Sequence, residues 1–305
     1  MKWIAAKVIF DAEDRALAQD LISDLFYEMG LPGAVIEEKE VDPDVDWGED
    51  AEPPPELDAV VGYIPLDRQA EEKCAMLEAR LVLMETETEI SSRIVYEEID
   101  QEDWVEAWKA YFWPEKIGKK IVVKPTWRAY DARPGEIVLE IDPGMAFGTG
   151  THPTTTLCVR MIETYLKQGD SFLDVGTGSG ILMIAAAKLG ANKVWGTDID
   201  ETAVFVAGKN LIRNRIDETR YKIIQSDLVD GIKERFSVVV ANITLKAVLT
   251  LLDDVKRVLY DGGLVVCSGI LIENRDAVAE QMKNMGFEIV DEREEAEWVS
   301  IAGKI

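Results

Sequence analysis

Two carboxylates and three glycines stand at spacings that could hold a nucleoside. Residues 172–182 read Phe-Leu-Asp-Val-Gly-Thr-Gly-Ser-Gly-Ile-Leu, so that Asp174 is followed by Gly176, Gly178 and Gly180. Asp198 follows, 22 positions after Gly176. Glycines let the backbone approach a ligand where a Cβ would collide. A helix that starts beside them offers unpaired N–H groups to ligand oxygens. A carboxylate at the tip of the next strand can accept hydrogen bonds from both hydroxyls of a ribose. These groups need an apolar strand before the glycines (Phe172, Leu173, Val175), a helix after them (Ile181 to Ala187) and a second strand over Lys193 to Asp198. Together these make the opening of a nucleotide-binding βαβ unit.

The glycine spacing discriminates between ligands. A dinucleotide fingerprint places glycines at positions one, three and six. Counted from Gly176, position six is Ile181, and the third glycine is Gly180 at position five. This is the form seen in methyltransferases that bind S-adenosylmethionine, which has no pyrophosphate to seat. An NAD-linked enzyme is the alternative that Ile181 weakens. A plain strand-to-helix turn, with Asp200 capping the next helix, is the purely structural one.

Composition narrows the class. The chain has 305 residues, enough for two ordinary domains. One histidine, His152, is too few for a multi-histidine metal site, and Cys74, Cys158 and Cys267 form no metal or redox motif. Widely spaced, unpaired cysteines suit a reducing cytoplasm. The N-terminus lacks a signal-peptide apolar core, and no apolar run is long enough for a membrane span. The net charge is −25, and residues 1–100, with 8 basic and 27 acidic residues, carry −19 of it. An acidic surface argues against direct nucleic-acid binding and for a basic protein partner, or simply for solubility.

In chain order, strands over 2–10, 33–37, 59–66 and 91–99 and helices over 12–29 and 69–83 give a βαββαβ order, a small α+β ferredoxin-like domain over 1–100. In the second helix Met76, Leu77, Leu81 and Leu83 are the apolar positions. Residues 41–58 hold eight acids, no bases and four prolines, an exposed loop. Its Asp42-x-Asp44-x-Asp46 spacing would need glycine and glutamate where Trp47 and Pro53 stand, so no metal site is expected. A linker, 101–118, is expected to contain a helix from Glu102 to Phe112, with Trp104, Trp108, Tyr111 and Phe112 on one face. From 119 to 305 a second domain begins with two short strands, 120–124 and 136–141, joined by a turn at 131–135. A Gly- and Thr-rich loop, 142–155, then runs into a helix over 153–166, with Thr151 as the expected N-cap. His152 is read as bracing this loop rather than acting as a base. Next come strands at 172–175, 193–198, 221–225, 237–241 and 263–268, separated by helices at 180–189, 201–214, 245–259 and 273–285, and closed by strands at 287–291 and 298–302. Alternation of this kind implies a mostly parallel seven-stranded sheet covered on both faces, with ligands bound beyond the strand carboxyl ends.

Several stretches together resemble one family. They are Phe147-Gly-Thr-Gly-Thr-His-Pro-Thr-Thr155, the Asp174–Gly180 turn, Gly196-Thr-Asp-Ile-Asp200 and Val240-Ala-Asn-Ile243, with Asp103-Trp104, Trp108-Lys109, Tyr111-Phe112 and Lys124-Pro125-Thr126-Trp127 upstream. They resemble the PrmA family, which methylates ribosomal protein L11 in bacteria. The resemblance implies a class I, Rossmann-like methyltransferase domain behind a substrate-recognition domain. It also implies S-adenosylmethionine as cofactor, and lysine or N-terminal amino groups of that basic ribosomal protein as acceptors. Carried over by position, cofactor contacts fall on Thr155, Gly176, Asp198 and Asn242. Asp174, Gly178 and Ile199 from the same motifs are counted with them, and Ser226, Asp227 and Leu228 are placed beside the adenine. Asn242, at a strand tip, is the catalytic candidate, its amide oxygen accepting from the incoming amine. The tetrad Asn242-Ile243-Thr244-Leu245 offers no aromatic ring to stack a nucleobase, which disfavours a nucleic-acid substrate. A different basic protein remains open as the substrate, as does a non-catalytic binding module.

Overall fold

The computed structural model describes residues 2–29, 31, 34–37, 39, 57–88, 90–100, 113–141 and 152–305. Most of the acidic loop, the Glu102–Phe112 segment and residues 142–151 therefore lie outside the described residues. The chain divides into two compact units, Met1–Phe112 and Trp113–Ile305.

The N-terminal unit runs β1 (Lys2–Asp11), α1 (Arg15–Glu28), β2 (Ala34–Glu37), β3 (Ala59–Pro65), α2 (Ala70–Glu87) and β4 (Ser91–Asp100). Its sheet has the order β2-β3-β1-β4 with antiparallel neighbours, the ferredoxin-like order. Ile22 and Phe26 of α1 and Leu77, Leu81 and Met84 of α2 pack on Ala6, Val8 and Phe10 of β1. Gly62 of β3 is required by this packing, because a Cβ there would lie 2.2 Å from the Phe26 ring. Helix α2 differs from the expected 69–83 in its end and in which apolar positions it buries. The helix continues to Glu87, and its buried stripe is Leu77, Leu81 and Met84, while Met76 and Leu83 are 44% and 46% exposed. At 100° per residue, positions 76 and 83 fall one step off the core-facing stripe. At the end of the acidic loop Asp58 is buried, accepting from the Lys39 N–H at 2.9 Å and facing the Arg15 and Lys39 cations.

The C-terminal unit opens with a small sheet of β5 (Glu115–Lys116), β6 (Ile121–Pro125) and β7 (Ile137–Ile141). Here β6 and β7 are parallel, so residues 131–135 are not a hairpin turn. Parallel neighbours need a connection that returns along the strand, and residues 126–136 make it. The remaining elements are α3 (Pro153–Tyr165), β8 (Ser171–Val175), α4 (Ile181–Leu189), β9 (Lys193–Asp198), α5 (Glu201–Arg213), β10 (Tyr221–Gln225), β11 (Phe236–Asn242), α6 (Leu245–Asp254), β12 (Leu259–Leu271), α7 (Arg275–Asn284), β13 (Glu288–Glu295) and β14 (Trp298–Lys304). The helix expected over 245–259 ends at Asp254, a 3-10 turn covers Val255–Val258, and β12 already begins at Leu259.

The large sheet has the order β10-β9-β8-β11-β12-β14-β13. Its first five strands are parallel, and β14 runs antiparallel to both β12 and β13. Successive strand residues point to opposite faces. Phe172, Val238, Val240 and Val266 thus join one core with α3 and α4, and Leu173, Val175, Val239, Ala241 and Val265 join the other with α6 and α7. Strand order reverses between β8 and β11, the switch point at which such sheets open a crevice at their carboxyl edge.

Candidate active site

At the carboxyl end of β8 the backbone turns through Gly176, Gly178 and Gly180, with φ of +73°, +51° and +80°. L-residues with a Cβ pay a steric penalty there. A Cβ on Gly176 would lie 2.3 Å from Ile243 Cγ2, and one on Gly180 would lie 3.0 Å from Ala207 Cβ. The protein's own packing therefore demands glycine at both positions. The N–H groups of Gly176 and Thr177 donate to Thr197 O at 2.8 and 2.9 Å, which pins the turn to β9.

Asp198 is half-buried and accepts two backbone N–H groups, from Gly178 at 2.9 Å to Oδ2 and from Asp200 at 3.0 Å to Oδ1. The glycine turn and the acid are thus one hydrogen-bonded unit. Asp200 caps α5 by accepting from Thr202 N–H at 2.8 Å, as its position in the sequence suggests. The adjoining Ile199 is 70% exposed, an apolar surface suited to a nucleobase face. Ser226 N–H donates to Asp198 O at 2.8 Å, bringing 226–228 beside 198–199. The Ser226 hydroxyl donates to Asp230 O at 2.8 Å, and Leu228 holds a left-handed φ of +47°.

Asp174 lies buried beneath the turn. Thr177 Oγ1 donates to its Oδ2 at 2.7 Å, while Oδ1 is buried with no hydrogen-bond partner among the described residues. Burial pushes its carboxyl up from the ordinary range to about 7; the Thr177 hydrogen bond opposes the rise and the nearby Asp198 charge adds to it. A buried, under-satisfied carboxylate oxygen is costly unless something donates to it.

Across the switch point, Asn242 ends β11 and Thr155 stands in the first turn of α3. Asn242 Nδ2 donates to Thr155 Oγ1 at 3.5 Å, joining residues 87 apart in sequence. The N-cap expected at Thr151, which lies outside the described residues, falls to His152. Sequence reasoning also missed Thr177 and the buried Ser268–Ser300 pair, whose hydroxyls meet at 2.5 Å while Ser268 donates to Thr154 O at 3.2 Å. Hydroxyls this common in sequence carry no spacing signal; only the fold selects these.

Every candidate drawn from the sequence therefore sits along one edge of the large sheet. Gly176, Gly178, Asp198, Asp174, Ile199 and Ser226–Leu228 gather at β8–β10, and Thr155 and Asn242 gather at α3–β11. A sequence model of the family described as Ribosomal protein L11 methyltransferase (PrmA) matches residues 2–305. The chain belongs to this family. A relative from Desulfosudis oleivorans, named Ribosomal protein L11 methyltransferase, is 42% identical over 308 residues, covering 100% of this chain and 99% of its own length. One from Desulforapulum autotrophicum with the same name is 39% identical, with 100% of both chains covered. The crystal structure of a ribosomal protein L11 methylase from Lactobacillus delbrueckii subsp. bulgaricus is similar at 30% identity and a TM-score of 0.59, covering 62% of this chain and 97% of that one. Family membership makes this chain a methyltransferase of the class I fold that uses S-adenosylmethionine, and it favours that cofactor over NAD.

The residues present fit such a cofactor. A turn closed to side chains, a half-buried acid beside it and an exposed isoleucine suit a nucleoside. A buried carboxylate oxygen in want of a donor suits a ligand that carries an ammonium group.

Proposed function

We propose that this chain transfers methyl groups from S-adenosylmethionine to lysine and N-terminal amino groups of ribosomal protein L11, a cytoplasmic substrate. The observation that supports the reading is the Thr155–Asn242 contact beside the glycine turn, since an amide at that strand end would accept from an incoming amine. When bound, the cofactor supplies a methyl group already activated on a sulfonium centre. Gly176, Gly178 and the buried Asp174 would hold its methionine end, Asp198 its ribose hydroxyls, and Ile199 with 226–228 its base.

The protein's remaining task is alignment of a neutral amine, and positioning of this kind supplies much of a rate enhancement. A lysine amine carries its proton in water, with a pKa of about 10.4. Desolvation lowers that value and adjacent carboxylates raise it. Ile243, packed on Gly176, gives the approach an apolar wall, and the Asn242 amide oxygen accepts from the amine without adding charge. The acidic N-terminal unit attracts a basic protein over long range and would serve to recognise it.

The test is mass spectrometry of purified L11, and of total ribosomal proteins, after incubation with enzyme and cofactor. Methylation at L11 amino groups is expected. Methylation of other proteins alone would transfer the activity to a different basic substrate, and calorimetric binding of NAD but not S-adenosylmethionine would overturn the reading.

A further inference from the structure

The chain's single histidine stands at the start of α3, where Pro153 follows it and brings no N–H of its own. Thr154 N–H donates to His152 Nδ1 at 3.3 Å, and Thr154 Oγ1 lies 2.7 Å from the same nitrogen. The N–H groups of Thr155 and Thr156 donate to His152 O at 2.9 and 3.1 Å. One residue thus takes every N–H of the first turn. Helix N-termini commonly meet ligand anions through such groups; here they are engaged, and the buried Thr155 hydroxyl of the same turn meets Asn242.

The cap needs a neutral imidazole with its proton on Nε2, because a protonated ring has no acceptor nitrogen. Burial supports that state, pushing the His152 pKa down to about 4. The ring is held from outside by Trp298 of β14, edge-on with centroids 5.1 Å apart. From inside, Ser300 Oγ and Ser268 Oγ form a chain that ends on Thr154 O. Ser268 is also the register partner of Asn242 in the β11–β12 pair. The first turn of α3 is therefore clamped on both sides, and one clamp leads directly to the strand that carries Asn242.

We infer that His152 is a positioning residue for methyl transfer: by capping α3 it sets the Thr155 hydroxyl against Asn242, and so fixes which side of the Asn242 amide meets the acceptor. With Nδ2 turned to Thr155, Oδ1 is left to the opposite side. This inference rests on the proposed transfer site at Thr155 and Asn242.

The experiment compares wild type with His152→Leu, His152→Asn and Trp298→Leu. It measures thermal stability, affinity for S-adenosylmethionine, and kcat and KM with L11. His152→Leu is expected to lower the melting temperature as a lost N-cap does, and also to lower kcat/KM by up to about a hundred-fold, the scale of a misplaced group beside the reacting atoms. Asn is itself a strong N-cap, so His152→Asn should recover most of that loss without restoring the ring. Trp298→Leu keeps the acceptor nitrogen but removes the edge-on contact to the ring and should lower kcat in the same direction; this arm stands even where His152→Leu fails to fold. A purely structural cap would shift the melting temperatures and leave kcat and KM of the folded variants unchanged, and that result overturns the inference. Wild type inactive on every basic protein offered would overturn the transfer reading, and this inference with it. An active wild type matched by equally active variants overturns the inference alone.

Discussion

Replacing Gly176 with alanine tests the geometry of the whole site. Two separable penalties follow from the structure. The backbone there holds φ at +73°, and a Cβ in left-handed conformation costs about 1–2 kcal/mol. The same Cβ would lie 2.3 Å from Ile243 Cγ2, and overpacking of that kind costs roughly 1–3 kcal/mol. Gly176→Ala should therefore destabilise the protein by about 2–5 kcal/mol unless the turn shifts. A shifted turn draws Gly178 N–H away from Asp198, so affinity for S-adenosylmethionine should fall by at least about tenfold, or ~1.4 kcal/mol. The two penalties separate in a double-mutant cycle with Ile243→Ala, which deletes the clashing carbon and leaves φ untouched. In that background the alanine should keep its backbone penalty of about 1–2 kcal/mol and lose the steric one. The assay is denaturant unfolding and calorimetric titration with S-adenosylmethionine on all four proteins. A Gly176→Ala protein that folds and binds like wild type, or a cycle with no coupling to Ile243, would refute the reasoning.

Three further outcomes are expected. Asn242→Ala should depress kcat far more than cofactor affinity; unchanged turnover in a methylation assay removes Asn242 from the transfer step. Asp198→Asn keeps the shape but loses the charged acceptor, which should weaken cofactor binding by about ten- to a hundred-fold, the scale of a hydrogen bond to an ionised group; an unaltered dissociation constant by calorimetry would show that the ribose is held elsewhere. Asp174 has a folded-state pKa raised to about 7 from an ordinary 3.8. Between those values the folded protein holds a proton that the unfolded chain has released. Stability of the cofactor-free protein should consequently fall as pH rises from about 4 to 7. The Asp174→Asn variant should lose that part of the slope, and parallel pH–stability curves for the two proteins would refute the assignment.

Much of the site was legible in the sequence because its parts are local. The glycine turn, the acid at the end of the next strand and the Asp200 cap are set by spacings within one βαβ unit. Steric limits on φ and the strand-to-helix change of period write such units directly into residue order. The alternation of strands and helices from Phe172 onward likewise predicted the parallel sheet, since a strand buried on both faces is apolar throughout. What sequence could not settle depends on which surfaces meet. Met76 and Leu83 are as apolar as Leu77 and Leu81, yet only the direction in which α2 packs decides that they face outward. Strands β6 and β7 have the look of a hairpin, but they pair in parallel. The cap of α3 falls on a histidine, because the backbone turns at that residue and Trp298 supplies a wall for its ring. Above all, Thr155 and Asn242 come from segments 87 residues apart. Their encounter is decided by the reversal of strand order at β8 and β11, a tertiary event that no local spacing encodes.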